Sequence, residues 1–146
     1  MMERFTDNAR AAVRAAFRTQ PSASEQEILL ALMWRPRGLA QRLLAGAGVD
    51  AVHLPSSSLA VERREVVARA VEEARRRGVP YVGTEHVLLA VARLPGSALA
   101  SLGATAERLD DLLSVAEAEW RRTHPPLARR LGAACRTALQ WLRSRA

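Results

Sequence analysis

The chain contains no lysine: all 22 of its basic residues are arginine. A P-loop needs a lysine to reach the β- and γ-phosphates of a nucleotide, and Schiff-base catalysis needs a free amine. Both chemistries are excluded. A single cysteine, Cys135, rules out an internal disulfide and a zinc cluster built on thiolates. Aromatic residues make up only 4% against 49% apolar residues, so the core must be mostly Ala, Leu and Val. Ala and Leu favour helix, and the β-branched and aromatic enrichment of a sheet protein is missing. No window is free of charge for long enough to span a membrane. Arg4, Asp7, Arg10, Arg14 and Arg18 interrupt any secretory leader, so the expected location is cytoplasmic.

Acid is absent from one part of the chain. From Arg121 onward there are seven arginines and no Asp or Glu, while residues 1–120 hold 15 of each sign. The whole net charge of +7 therefore sits in the tail. A neutral domain with a basic tail speaks against a nucleic-acid-binding domain and for a separate role of the tail.

What is present is helical punctuation. Thr6 is placed to cap a helix carrying Ala9, Val13, Ala16 and Phe17 at helical spacing, with Pro21 beyond it. Ser24 and Glu27 form a capping box that launches Ile28-Leu29-Leu30-Ala31-Leu32, apolar on nearly every side. Pro36 and Gly38 break it, and a short helix from Leu39 to Ala45 follows. Pro55 and its neighbouring serines mark a linker. The order then recurs. A long amphipathic helix is expected over Leu59–Arg77, stopped by Gly78 and Pro80. Thr84 is the expected cap of Val87-Leu88-Leu89-Ala90-Val91, Pro95 and Gly96 break that helix, a short helix ends at Gly103, and Thr105 starts a longer one. The paired pentapeptides define an internal repeat, and two such copies should pack into one pseudo-symmetric bundle. The expected organisation is repeat one over 1–53, a linker at 54–58, repeat two over 59–122, and a basic amphipathic helix over 123–146.

Two motifs carry a family resemblance over about residues 2–118. Arg4-Phe5-Thr6-Asp7 and Tyr81-Val82-Gly83-Thr84-Glu85-His86-Val87-Leu88-Leu89 resemble the double-repeat N-terminal domain of ClpC-type unfoldases. The resemblance implies an all-α fold of two pseudo-symmetric four-helix Clp N repeats, used to bind adaptors and substrates. No ATPase module accompanies it in this sequence. In relatives that recognise phosphorylated arginine, the resemblance assigns the phosphate to a Thr at the start of each first helix. The guanidinium goes to the Glu of each Gly-Thr-Glu-His motif. Here repeat one has Thr6 but Gln26 in place of the Glu, after a segment about five residues short. Repeat two has Glu85, but Leu59-Ala60 stands at the aromatic-Thr position. Each half-site is thus expected to lack one partner, and phosphoarginine binding to be weak or absent. The resemblance also implies an apolar groove on the first helix of each repeat, at Met2, Arg10, Val13 and Phe17 and at Leu59, Arg64, Val67 and Val71. A Met lining suits an adaptable surface.

Catalytic readings fare poorly. Glu85 and His86 are adjacent in a first helical turn and do not converge on one atom, and the three histidines are far apart in sequence. His86 is better explained by structure or capping. No metal site and no cofactor is expected. Trp34 and Trp120 are expected to pack, and the Glu72-Glu73 and Arg75-Arg76-Arg77 runs to form a solvated helix face. In the tail, Leu131, Ala138 and Trp141 share one helical face, while Arg129, Arg136 and Arg143 lie opposite. That helix is suited to dock on its own domain, on a partner protein, or on an anionic surface.

The expected function is that of a non-enzymatic accessory of the Clp system. It would bind a protein, peptide or peptide-like ligand in the inter-repeat groove as adaptor, regulator or decoy. Its partners would be Clp components, their clients or peptide-like inhibitors. Two alternatives stand beside it: a helical nucleic-acid-binding protein acting through the Arg tail, and a domain that docks on a Clp ring by its tail with a vestigial groove.

Overall fold

The computed structural model describes residues 2–54, 56 and 59–124. It is mostly helical, as the composition requires. The order is α1 (Asp7–Ala16), β1 (Ser22–Ser24), α2 (Glu25–Met33), α3 (Leu39–Gly46), a 3-10 turn (Ala51–His53), β2 (Ala60–Glu62), α4 (Arg63–Arg76), α5 (Thr84–Ala92), a 3-10 helix (Ala98–Leu102) and α6 (Ala106–Thr123). The first half supplies three α-helices and a three-residue 3-10 turn, the second three α-helices and a five-residue 3-10 helix. The described residues up to Leu113 form one compact unit and those from Ser114 belong to a second, with the boundary inside α6.

Local chemistry explains the helix starts. The Thr6 hydroxyl accepts the Ala9 N–H at 3.3 Å, and Ser24 and Glu27 close the capping box in both directions. Thr105 accepts from the Arg108 N–H at 3.3 Å and starts α6. Gly78, in the left-handed region at φ 68°, ends α4 and lets Val79 N–H return to the Ala74 carbonyl at 3.1 Å.

Three expectations are corrected. The long helix of repeat two does not begin at Leu59: Ala60–Glu62 is extended and pairs antiparallel with Ser22–Ser24, so α4 begins only at Arg63. The β-ladder satisfies backbone groups that a helical start would have left to solvent. Thr84 is not the cap of α5. Gly83 holds that position, and its N–H donates to His86 Nδ1 at 2.9 Å, which frees the Thr84 hydroxyl to act elsewhere. Nor is the Glu72-Glu73 stretch wholly solvated. Glu73 is buried, with its carboxylate 2.9 Å from Arg93 Nε and 3.2 Å from Arg76 Nη1, and Arg77 reaches Asp110 at 2.6 Å.

The core is organised around α5, in which every residue from Thr84 to Val91 is buried. It packs against α1, α2, α3 and α4. Its counterpart α2 packs against α1, α3 and α5 and stays half-open at Leu30 and Met33. That inequality between the copies leaves Trp34, at the end of α2, 74% exposed rather than packed. In the second unit Trp120 is also exposed, and it stacks on His124 with ring centroids 3.6 Å apart.

Candidate functional site

The two repeats are tied at both ends of the compact unit, and the ties cross over. At one end Phe5 forms a bridge with Val82, Thr6 N–H donates to the Val82 carbonyl and Val82 N–H to the Arg4 carbonyl, each at 2.9 Å. The start of α1 therefore lies beside the Gly83-Thr84-Glu85 segment of repeat two. At the other end Glu25 N–H donates to the Leu59 carbonyl at 3.0 Å, and Ser24 pairs with Ala60. The start of α2, with Gln26, lies beside Leu59-Ala60.

The phosphoarginine-type positions fall at these two ends: Thr6 starts α1 beside the segment that carries Glu85, and Gln26 starts α2 beside the strand that carries Ala60. One end keeps both residue types and the other keeps neither. Glu85 is itself buried, with its carboxylate over the Gly83 Cα and 3.3 Å from His86 Nδ1. A side chain at position 83 would run into that carboxylate. Ala60, moreover, is not the residue that starts the helix of repeat two. The α4 N-cap is Glu62, which makes no side-chain capping bond.

The groove positions separate into two sets. Val13, Phe17 and Val67 are buried and serve the core, and Phe17 also borders a cleft. The reason is geometric: α1 has ten residues and one apolar stripe, and the stripe that meets α2 and α5 cannot also face a ligand. Met2, Leu59, Val71 and Arg10 are half-buried, and Arg64 is exposed. Arg10 donates to the Phe5 carbonyl at 3.0 Å, and Arg63 reaches the Met2 sulfur at 3.3 Å across the repeats.

Two clefts open where the repeats meet. One, of about 340 Å³, lies between the end of α1 and the start of α4 and is lined by Phe17, Arg18, Thr19, Gln20, Pro21, Glu62, Arg63 and Arg64. Arg63 N–H fixes its floor by donating to the Pro21 carbonyl at 2.9 Å. The other, of about 260 Å³, lies among Arg4, Val71, Ala74, Arg75, Val79 and Val82. Both combine apolar walls with guanidinium groups.

Among the described residues no group of three His, Cys, Asp or Glu side chains is placed to hold a metal, and no helix is long and apolar enough to cross a membrane. The tail positions Arg129, Arg136, Trp141 and Arg143 lie outside the described residues, as does Cys135.

Sequence reasoning missed two contacts between the repeats. Glu25, fully buried, accepts the Ser97 hydroxyl at 2.5 Å and the Ala98 N–H at 3.0 Å, capping the 3-10 helix of the opposite repeat. Thr84 Oγ1 accepts the Ala40 N–H at 3.2 Å, which caps α3. Glu25 and Thr84 are the first residues of α2 and α5, so the two contacts are reciprocal. A buried acid at the head of an apolar helix was the available signal.

Comparison with known proteins yields a family. The model of the Clp repeat (R) N-terminal domain matches residues 58–145, more than half of the chain. Among solved structures, the N-terminal domain of the caseinolytic protease associated chaperone ClpD from Arabidopsis thaliana is similar, at 20% identity and a TM-score of 0.48. That match covers 75% of this chain and 91% of that one. No curated protein matches.

Proposed function

Because the chain belongs to the Clp repeat N-terminal domain family, we propose that it is a protein-binding accessory of the Clp system without catalysis of its own. The ligand, a protein or peptide segment, seats in the cleft between the end of α1 and the start of α4. The observation that carries this reading is the cleft itself. Its walls come from both repeats, its floor is Phe17 and Pro21, and Arg18, Arg63 and Arg64 surround it. Apolar floor with a charged rim is the anatomy of a peptide-binding surface. The adaptable Met2 lies beside Arg63, next to the same surface.

A domain of this kind delivers clients to the unfoldase as an adaptor or withholds them as a decoy. A degradation assay distinguishes the two. The full chain, added to a reconstituted Clp unfoldase and protease with an unfolded client, is expected to change the degradation rate: upward for an adaptor, downward for a decoy. Arg64→Glu, at an exposed position, is expected to abolish either effect while leaving thermal unfolding unchanged. An unaltered rate with the parent chain would reject the accessory reading. An effect that survives Arg64→Glu would reject the cleft.

Phosphoarginine is not the proposed ligand. Gln26 and Ala60 lack the charge and the hydroxyl, and the Glu85 carboxylate is buried against Gly83 and His86. Titration of phosphoarginine into the full chain is expected to show no saturable heat.

A further inference from the structure

A third cleft, of about 390 Å³, lies on the open face of α2 and is lined by residues of repeat one alone. Ala15, Ala16, Leu30 and Ala31 form its floor, and Trp34 stands at its edge, 74% exposed. The loop after α2 is fixed in place. Asn8 Nδ2 donates to the Pro36 carbonyl at 3.4 Å, Gly38 N–H donates to the Arg35 carbonyl at 3.0 Å, and Arg37 adopts a left-handed conformation at φ 63°. Among the described residues, neither Arg18 nor Arg35, both lining the cleft, has a carboxylate partner. The Nε–H of Arg35 is buried without any acceptor. Two guanidinium groups without a carboxylate partner beside an apolar floor suit a carboxylate brought by a ligand.

We propose that this cleft is a second interaction surface, which takes an acidic peptide segment of a partner protein: an apolar or aromatic side chain against Trp34 and Leu30, and a neighbouring Asp or Glu carboxylate on Arg35 and Arg18. Trp and Arg are both enriched among the residues that dominate binding energy at protein interfaces, and a carboxylate matches the fork geometry of Arg. A nucleic-acid strand fits less well. Glu27 lies on the same cleft, and its bonds from the Ser24 backbone N–H and hydroxyl hold it ionised, so it repels a run of phosphates. One carboxylate at one edge and two guanidinium groups in the lining instead favour a segment with localised acidic charge.

Arg18 and Thr19 line both this cleft and the one between α1 and α4, so Trp34 and Arg35 are the discriminating positions. The test is fluorescence anisotropy on the full chain at physiological salt. The probes are short acetylated and amidated peptides in which Leu and Phe alternate with Asp and Glu. Saturable binding is expected, weakened about tenfold or more by Trp34→Ala, by Arg35→Gln, or by exchanging the peptide acids for Asn and Gln. Arg42→Gln removes the same charge from an exposed position on α3, outside the clefts described, and is expected to leave the affinity unchanged. Thermal unfolding of each variant confirms the fold, and Arg35→Gln carries the test alone if Trp34→Ala fails to fold. Equal binding by parent and Arg35→Gln would overturn the proposal, as would equal weakening by Arg42→Gln. Tighter, Trp34-dependent binding of a single-stranded oligonucleotide would overturn it too.

Discussion

Glu72 and Glu73 are neighbours of the same chemistry on α4, yet the fold gives them different work. Glu72 pairs with Arg75 at 3.1 Å, and both side chains are more than half exposed. Such a pair contributes about 0–1 kcal/mol. Glu73 is 6% exposed and holds Arg93 and Arg76 together. Its removal deprives Arg93, whose side chain is 27% exposed, of the carboxylate that it pairs with. Glu73→Ala is therefore expected to cost about 2–3 kcal/mol and Glu72→Ala under about 0.5 kcal/mol, as read by urea denaturation. Equal losses would mean that the Glu73 contacts are solvated in solution. Position 83 gives a second residue-scale expectation. A methyl group there meets the Glu85 carboxylate, so Gly83→Ala is expected to destabilise by about 1–3 kcal/mol. A neutral result would show that the Glu85 side chain moves aside freely, and the carboxylate would then be available to a ligand.

At the scale of elements, the capping box of α2 makes stability depend on acid in a definable direction. Hydrogen bonds from the Ser24 backbone N–H and hydroxyl hold the Glu27 carboxyl below its ordinary value. A carboxyl depressed in the folded state stabilises above its unfolded pKa of about 4.3, and that contribution is lost as pH falls through the lower folded value. Glu27→Gln is expected to flatten the acid limb of the stability curve below about pH 4 while costing less than about 1 kcal/mol at neutral pH. An unchanged acid limb would assign the dependence to other carboxyls. These caps were legible in the sequence, because Thr6, Ser24 and Thr105 act within one turn of themselves. The β-ladder was not, because Ser22–Ser24 and Ala60–Glu62 find each other only after the repeats have packed. Position also decided the candidate site. Thr6 and Glu85 could be named from motifs, but only the bridge of Phe5 to Val82 groups them at one end. Val13 and Val67 lie on the apolar face that the sequence marks correctly, yet nothing local says whether that face meets a ligand or the core. Trp34 went unrecognised as a surface residue for the same reason: its exposure depends on what packs against α2.

At the scale of the molecule, the two reciprocal caps make each repeat part of the other's structure. The head of α2 satisfies the start of the 3-10 helix at Ala98, and the head of α5 satisfies the start of α3 at Ala40. A helix end deprived of its acceptor loses a bond that the opposite repeat supplied, so loss of either cap is felt in both repeats. Glu25→Ala is expected to cost about 2–4 kcal/mol, because it strands the Ala98 N–H and the Ser97 hydroxyl and leaves a void. Thr84→Val, which keeps the shape and removes only the acceptor, is expected to cost about 1–2 kcal/mol. Native-state amide exchange separates a shared structure from two independent ones. If the repeats unfold together, Glu25→Ala lowers protection in α2 and α5 by the same free energy, although the substitution lies in repeat one alone. If α5 keeps its parental protection while α2 loses it, the repeats are separate folding units. The clefts that draw walls from both would then depend on docking rather than on folding. Equal loss would mean that the surface between α1 and α4 exists only when the whole compact unit does, which makes the pairing of the repeats a condition for any ligand held there.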